Sequence, residues 1–520
     1  MSTDAATMAG APASAEARKT FAVCFAALVA TSFCFILRAS SLDAWGVEFG
    51  LSETQKGELF GVGLWPFAIS IVLLSLIIDK IGFKATLWFA AICHIAGLAM
   101  TLMADGYWSL YWSGFVLSLG NGAVEAGINP LVAREFRHDK TTWLNRLHAG
   151  WPAGFVIGGI LFLALPTDMG WRYKMALMLI PVVIYVFMLL PRRFPQSERV
   201  AAGVSYREML AEAGFISAFV VAILMVLEVG TVIAKQMGVD PADSTVRMWE
   251  YVAIGVITVG YGLWSRSPGK PLFIVMILVM IPLAVTELGT DGWITGMMEA
   301  SMKELGLSGT WVLIYTMALV LVLRLFAGPL VHRLSPLGLL AASAALAAIG
   351  LVLLSSFTGV MLLVAATIYG IGKAFFWPTS LGVVSEQSPK GGAITLNVVA
   401  GVGMLAAGIV GSPVIGGVQD AAMVKHVAEY DAKNNTQLSA ALTIEKEGMF
   451  GKYSSIDPAK RAAVSAEDAA VVDKIAADSK LQALRTIAIL PVIMLVVYLS
   501  LILYFRRKGG YKPVVLDLKH

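Results

Sequence analysis

Long apolar stretches follow one another along most of the chain, separated by short polar segments. Most of them have the length of about 20 residues that an α-helix needs to cross the hydrocarbon core of a bilayer. Because lipid offers the backbone no hydrogen-bond partners, such stretches predict membrane-spanning helices. We count fourteen spans, at about residues 20–46, 57–78, 85–104, 107–133, 145–165, 172–190, 213–235, 249–265, 271–298, 310–332, 336–356, 359–385, 392–417 and 482–505.

The loops that connect these spans differ in positive charge. Lys and Arg residues cluster in alternate loops, for example at 192–193 and 506–508, and are sparse in the loops between. Cytoplasmic loops carry the excess of positive charge, so both termini are predicted to be cytoplasmic and the protein to lie in the cell (inner) membrane. One long loop, 418–481, then falls on the outer side. Within it Ser465-Ala466-Glu467-Asp468 predicts the start of a helix that continues into the last span.

Composition excludes several classes of protein. Hydrophobic residues make up 58% of the chain and charged residues only 14%, against about a quarter in soluble domains. The net charge is +4, and no basic stripe indicates nucleic-acid binding. The three cysteines lie in apolar runs without metal-site or disulfide spacing. No catalytic His/Asp cluster suggests a membrane-embedded transferase, so we expect neither enzymatic activity nor a cofactor.

An internal repeat divides the chain. Asp43-Ala44-Trp45 recurs as Asp291-Gly292-Trp293, an offset of 248 positions (from 45 to 293), and the segment 122–130 recurs at 370–378 with the same offset. Parallel repeats of this kind give two bundles with a substrate site between them near the membrane midplane. The predicted organisation is a cytoplasmic tail over 1–19, a six-helix bundle over 20–190, a linker with two extra spans over 191–270, a second six-helix bundle over 271–505, and a cytoplasmic tail over 506–520.

Two segments resemble a known family. The loop Asp79-Lys80-Ile81-Gly82-Phe83-Lys84 resembles the signature of the major facilitator superfamily. The stretch 120–159, with Gly120-Asn121-Gly122 and Leu144-Asn145-Arg146-Leu147-His148, is similar to its fucose:proton symporter branch. The resemblance implies an all-α polytopic major facilitator fold and transport by alternating access. It also implies a cytoplasmic gate, to which we assign Asp79, Lys80, Lys84, Arg324 and Arg333.

The resemblance further implies roles for individual charges. Glu125 matches the glutamate that carries the coupled proton in the fucose branch, whereas Arg38 stands near the place of an acidic residue of that branch. Spans 1, 4, 7 and 10 line the cavity of the fold, and they carry Arg38, Glu125, Glu287 and Lys373. Because buried charges in membranes are costly, we expect Arg38 to share a cavity with Glu125, and Glu287 with Lys373.

These residues suggest proton-coupled symport of a sugar or related polyol by a monomer in the lipid bilayer. An amide both donates and accepts hydrogen bonds, as recognition of sugar hydroxyls requires, and aromatic rings can stack on a pyranose. The alternatives are an organic-anion or nucleoside carrier, with Arg38 and Lys373 clamping the anion, and a sensor that no longer transports. Proton coupling is assigned to Glu125, Arg38 and His148, and substrate binding to Asn121, Asn129, Asn145, Glu287, Asp291, Trp293, Lys373, Phe376, Trp377 and Asn397.

Overall fold

The computed structural model describes residues 14–51, 53–166, 168–303, 306–307, 309–357, 359–448, 451–457, 460–461 and 464–517. Its first half contains α1 (Ala15–Phe49), α2 (Glu53–Gly61), α3 (Trp65–Leu102), α4 (Tyr107–Glu135), α5 (Lys140–His148), α6 (Gly150–Ala164), α7 (Trp171–Ala176) and α8 (Leu179–Leu189). The middle contains α9 (Glu198–Ala201), α10 (Tyr206–Gln236) and α11 (Ser244–Ser265).

The second half begins with α12 (Pro271–Ala284), which passes through a π-helical turn (Val285–Gly289) into α13 (Thr290–Lys303). It continues with α14 (Thr310–Leu325), α15 (Gly328–Leu334), α16 (Pro336–Leu354), α17 (Met361–Lys373), α18 (Phe376–Gln387), a 3₁₀ turn (Pro389–Gly391), α19 (Gly392–Leu405) and a second π-helical turn (Ala406–Gly411). The last elements are α20 (Ser412–Asn434), α21 (Leu438–Leu442), strands β1 (Thr443–Gly448) and β2 (Gly451–Ile456), α22 (Ala466–Ile487) and α23 (Ile489–Arg507).

The predicted all-α polytopic fold is confirmed. Within the described residues, ten helices are long and apolar enough to cross a membrane, or eleven if α14 and α15, bent by 69°, form one span. One of the ten, Gln55–Leu102, contains two predicted spans, which the left-handed backbone of Gly82 separates (φ 83°). The helix α4 is not among the ten; it carries Asn121, Glu125 and Asn129 within its 29 residues. The total of fourteen spans stays a prediction.

The helices α10 and α11 cover the two predicted extra spans, 213–235 and 249–265; α10 is among the ten candidate membrane helices and α11 is not. They pack against each other, and α10 also contacts α19, α12 and α3. At the start of the pair, Gly214 has a positive φ of 71° and approaches the backbone of Gly269 so closely that a Cβ would lie 2.0 Å from the Gly269 nitrogen. A glycine at position 214 therefore allows both the turn in the helix and the close contact.

The loop 418–481 is largely structured. The helix α20 extends into it, and α21 and the antiparallel hairpin β1–β2 follow. As predicted, Ser465 caps α22: its hydroxyl accepts a hydrogen bond from the Asp468 nitrogen at 3.1 Å, and α22 leads into α23 across Ala488. Buried side chains from these elements form a small apolar core of their own: Val427, Leu438, Leu442, Ile456 and Val472.

The first helix begins within the predicted tail 1–19. The helix α1 begins at Ala15 because Ser14 caps it, accepting a hydrogen bond from the Ala17 nitrogen at 3.1 Å. Residues 15–19 are therefore helical, and residues 1–13 lie outside the described part of the chain.

Small residues let α6 pack closely on α1. A Cβ on Gly154 would lie 2.0 Å from the Ser32 hydroxyl and 2.5 Å from the Val29 carbonyl oxygen. Membrane helices rely on such glycine contacts because apolar side chains gain little by leaving lipid for protein. By contrast, a Cβ on Gly159 would have its nearest neighbour, an Ile36 side-chain carbon, at 4.0 Å.

We therefore expect Gly154→Ala to lower the melting temperature of the purified protein, because the added methyl group collides with backbone that cannot move freely. The matched change Gly159→Ala should leave it unchanged or raise it slightly, since alanine is the better helix former by roughly 0.5–1 kcal/mol. Thermal unfolding in detergent measures both. Equal effects of the two changes would contradict the packing described here.

Candidate functional site

A small cavity lies among α1, α2 and α4. Apolar and aromatic side chains form most of its walls, including Phe35, Leu42, Leu59 and Phe60. Its polar lining comes from Arg38, Ser118 and Asn121. In this conformation its volume is about 20 Å³, which is room for about one water molecule.

Among the described residues, Arg38 is the only charged one that lines this cavity. Its side chain is buried, and its hydrogen bonds are long: 3.4 Å to the Ser113 hydroxyl and 3.5 Å to the Leu59 carbonyl oxygen. The guanidinium also lies 5.2 Å from the centre of the Trp45 ring. Among the described residues no carboxylate oxygen lies within 4.0 Å of it. Within the described part of the chain, Arg38 is therefore a buried cation without a counter-charge.

The expected pairing of Arg38 with Glu125 is wrong. The guanidinium of Arg38 reaches α4 at Ser113, twelve residues before Glu125, and twelve residues of helix extend about 18 Å. Glu125 does not line the cavity of Arg38. The repeat gives the order of the helices correctly, but it does not give the height at which two side chains face each other.

Glu125 begins a chain of hydrogen bonds. Its carboxylate accepts a bond from the Asn129 amide nitrogen at 3.2 Å, and the Asn129 amide oxygen lies 3.0 Å from Nε2 of His148. All three side chains are buried. Both ends of the Asn129 amide are thus occupied by protein groups.

Arg324 carries this chain into the second half of the protein. Its guanidinium donates to the His148 carbonyl oxygen at 3.1 Å and to Oε1 of Glu287 at 2.6 Å. Its Nε donates to the Ala374 carbonyl oxygen at 2.6 Å. The side chain is almost fully buried, and its charge also lies close enough to Glu125 for an electrostatic interaction. Arg324 therefore joins the two halves beside both buried carboxylates.

Glu287 and Lys373, which were expected to share a cavity, each form an ion pair with another residue. Glu287 pairs with Arg324, and Lys373 pairs with Asp291 and lies 5.2 Å from the centre of the Tyr369 ring. Glu287 remains within electrostatic range of Lys373. Glu287 lies in the π-helical turn, which changes the direction of its side chain relative to a regular α-helix. The neighbouring Thr286 carbonyl accepts a hydrogen bond from the Tyr369 hydroxyl at 2.7 Å.

The remaining predicted substrate residues are buried or lie outside the described part. Asn145 and Asn397 bridge the two halves: the Asn145 amide donates to the Thr379 hydroxyl at 3.0 Å, and that of Asn397 to the Ala126 carbonyl at 3.1 Å. Phe376 and Trp377 are buried in the apolar core. The side chain of Trp293 lies outside the described residues.

The predicted gating residues occupy one end of the helices. Asp79 accepts two hydrogen bonds from Arg199, at 2.8 and 2.5 Å. Lys84 donates to the carbonyl oxygens of residues 190 and 192, and Lys80 lies 5.9 Å from the Tyr206 ring centre. Arg333 is exposed. Asp79 and Lys84 thus connect α3 to neighbouring segments, and none of the predicted gating residues lines the Arg38 cavity.

Two polar residues near the cavity are missing from the sequence prediction. His94 on α3 is fully buried; its Nε2 lies 2.9 Å from the Asn121 amide oxygen and its Nδ1 lies 3.0 Å from the Tyr185 hydroxyl. A histidine within an apolar span is itself a signal, and it could have placed His94 among the candidates.

In the described residues no group of three or more His, Cys, Asp or Glu residues could hold a metal ion.

Two curated proteins are similar to part of the chain. The cis,cis-muconate transport protein of Acinetobacter baylyi is 30% identical over 175 residues, which are 32% of this chain and 41% of the relative. The gentisate transporter of Corynebacterium glutamicum is 23% identical over 146 residues, 27% of this chain and 33% of that protein. The chain thus matches less than half of the length of either relative.

Solved structures match over nearly the whole chain. A proton:xylose symporter of the major facilitator superfamily has a TM-score of 0.59 at 13% identity, covering 98% of this chain and 99% of that one. The human organic anion transporter MFSD10 has a TM-score of 0.56 at 12% identity, with 93% and 100% covered. The fucose:proton symporter of E. coli has a TM-score of 0.53 at 14% identity, with 91% and 99% covered. At these identities the likeness concerns the fold.

The family follows from the sequence match. The model of the Major Facilitator Superfamily matches residues 20–298, more than half of the 520 residues. This range includes the Arg38 cavity, Glu125 and His148, and the fold of the second half agrees with it. The chain is a multi-pass membrane protein and belongs to the Major Facilitator Superfamily, whose members are transporters and not enzymes.

Proposed function

We propose that this transporter moves a small organic acid across the membrane together with protons. The observation that carries the proposal is Arg38, a buried cation that no carboxylate of the described chain neutralises and that faces an apolar cavity. Removing a charge from water is costly unless a counter-charge replaces the water. A substrate carboxylate supplies that counter-charge.

The walls of the cavity agree with a substrate of this type. A guanidinium holds a carboxylate through two parallel hydrogen bonds, and the rings of Phe35 and Phe60 offer apolar contact to the organic body of the acid. Gly114 makes room for the guanidinium, since a Cβ there would lie 2.4 Å from its Nη2. The present volume of about 20 Å³ requires the walls to move apart when a substrate enters.

The curated relatives support the same substrate class. They are named for transport of cis,cis-muconate and of gentisate, and both compounds are carboxylates at neutral pH. The partial coverage and low identity leave the substrate of this chain a proposal, which Arg38 supports independently.

Symport of a sugar, which the sequence analysis favours, is the second candidate. The amide of Asn121 lines the same cavity as Arg38 and has the chemistry to bind a hydroxyl group. The amides of Asn129 and Asn145 fit sugar binding less well, because their nitrogen and oxygen atoms both bond protein groups. The Asn397 nitrogen also bonds a protein carbonyl, while its buried amide oxygen has no partner among the described residues. Nucleoside transport and a transport-dead sensor have no observation of their own in their favour.

We propose Glu125 as the carrier of the coupled proton. Glu125 is 3% exposed, and among the described residues its hydrogen-bond partner is the neutral amide of Asn129. Burial disfavours the charged form of a carboxyl group, so proton binding there costs little. Through Asn129 and His148 its charge is connected to Arg324, which holds the two halves together. A proton on Glu125 would therefore alter the contact between the halves.

The first transport prediction concerns Arg38. In proteoliposomes, Arg38→Gln should raise the KM for a transported carboxylate about 10- to 100-fold, because a hydrogen bond to a charged group contributes about 1.5–3 kcal/mol. Arg207→Gln, which changes an exposed arginine on α10, is the control and should transport like wild type. Unchanged carboxylate kinetics in Arg38→Gln would contradict the proposal, and saturable sugar uptake without competition from carboxylates would favour the second candidate.

The second transport prediction concerns Glu125. Glu125→Gln keeps the shape of the side chain but cannot bind and release a proton. The variant should lose accumulation driven by a pH gradient and keep substrate counterflow, since exchange needs no net movement of protons. Measurements of both activities in the same vesicles separate coupling from binding. Accumulation at the wild-type level would exclude Glu125 as the proton carrier and would leave Glu287 or His148 as the next residue to test.

A further inference from the structure

His94 and Tyr185 form a buried hydrogen-bonded pair behind the Arg38 cavity. Tyr185 lies on α8 and His94 on α3, and both are fully buried. The ring of His94 lies between the Tyr185 hydroxyl, 3.0 Å from Nδ1, and the Asn121 amide oxygen, 2.9 Å from Nε2. The pair does not touch the cavity itself, but Asn121 does.

The hydroxyl of Tyr185 fixes the direction of these hydrogen bonds. Its only hydrogen-bond partner among the described residues is Nδ1 of His94. If the histidine donated to this oxygen, the buried hydroxyl hydrogen would have no acceptor, which is costly. The hydroxyl therefore donates to Nδ1, and the imidazole proton lies on Nε2. The Nε2–H group therefore donates a hydrogen bond to the Asn121 amide oxygen.

This arrangement determines what Asn121 offers to the cavity. Its amide oxygen is occupied by His94, so its NH₂ group remains, and that group has no acceptor in the described part of the chain. The Ser118 hydroxyl is also occupied: it donates to the Gly63 carbonyl at 2.7 Å and accepts from the Phe67 nitrogen at 3.1 Å. Among the described side chains that line the cavity, the hydrogen-bonding groups that lack a partner lie on Arg38 and Asn121, and they are donors.

We propose that His94 and Tyr185 determine substrate specificity by holding Asn121 as a hydrogen-bond donor, so that the cavity accepts carboxylates and rejects neutral hydroxylated compounds. A carboxylate only accepts hydrogen bonds and matches such a set. A hydroxyl group also donates, and among the described lining side chains its hydrogen would find as acceptor only the Ser118 oxygen, which already accepts a bond from the Phe67 nitrogen. His94 and Tyr185 are positioning residues, since both act through Asn121. The inference rests on the proposed function.

The test compares an acid with its alcohol. Uptake of gentisate, cis,cis-muconate and benzoate is measured in proteoliposomes, each against the primary alcohol that replaces the carboxylate. Tyr185→Phe keeps the ring but removes the donor to Nδ1, so the imidazole proton can move and the Asn121 amide can turn over. The ratio of kcat/KM for acid over alcohol should fall at least tenfold. Tyr251→Phe, on an exposed tyrosine of α11, is the matched control and should keep the ratio.

The preference of the wild type tests the proposed function, and the preference of Tyr185→Phe tests the role of Tyr185 and His94. If the wild type takes up none of the acids in preference to its alcohol, the proposed function fails, and the inference fails with it. If the wild type prefers the acid and Tyr185→Phe keeps the same ratio, only the role of Tyr185 and His94 is overturned.

A second measurement needs no variant. Labelling with carbonyl-¹³C cysteine and with uniformly ¹³C,¹⁵N-labelled histidine identifies the amide of His94, because Cys93-His94 is the one Cys-His pair in the sequence. The labelled carbons of the histidine then connect this amide to its ring nitrogens. Nitrogen NMR of the wild-type protein should then show the proton of this ring on Nε2. A proton on Nδ1 would overturn the inference even if Tyr185→Phe did not fold.

Discussion

A charge buried within the membrane requires a counter-charge or several hydrogen bonds, and this requirement organises the interior of the protein. Glu287 meets it with Arg324, and Asp291 meets it with Lys373. Arg38 does not: its contacts are two long hydrogen bonds to uncharged groups and one aromatic ring. Ion pairs in which both partners belong to the protein stabilise the bundle. A buried charge that lacks such a partner and faces a cavity can bind a ligand of opposite charge.

The same buried polar groups connect the halves that must move in alternating access. Arg324 donates to a carbonyl of the first half and to Glu287 of the second, while Asn145 and Asn397 make further bonds across the boundary. The contacts are individually modest, about 0.5–1.5 kcal/mol net for a neutral hydrogen bond, so they can be exchanged during a cycle. In our proposal, the protonation of Glu125 acts on this boundary through the side chain of Asn129 and through His148, whose ring contacts Asn129 and whose backbone carbonyl accepts from Arg324.

The sequence predicted the membrane helices, the family and the positions of the buried charges, because apolar length and isolated charges are local properties. It did not predict the partners of those charges. The repeat paired Arg38 with Glu125, but Arg38 faces Ser113, and a single helical turn already displaces a side chain by about 5.4 Å along the axis. The π-helical turn at Glu287 and the backbone carbonyls that Arg324 uses leave no pattern in the sequence. His94 was overlooked although its polarity in an apolar span was visible.

The central claim is that the cavity binds a carboxylate through the uncompensated charge of Arg38. Calorimetric titration of the purified protein with gentisate and with its methyl ester tests it most directly, because the ester keeps the ring and the carbonyl group and replaces the charged oxygen with an uncharged methoxy group. The account predicts that the acid binds at least tenfold more tightly than the ester. Equal affinities, or tighter binding of the ester, would contradict it.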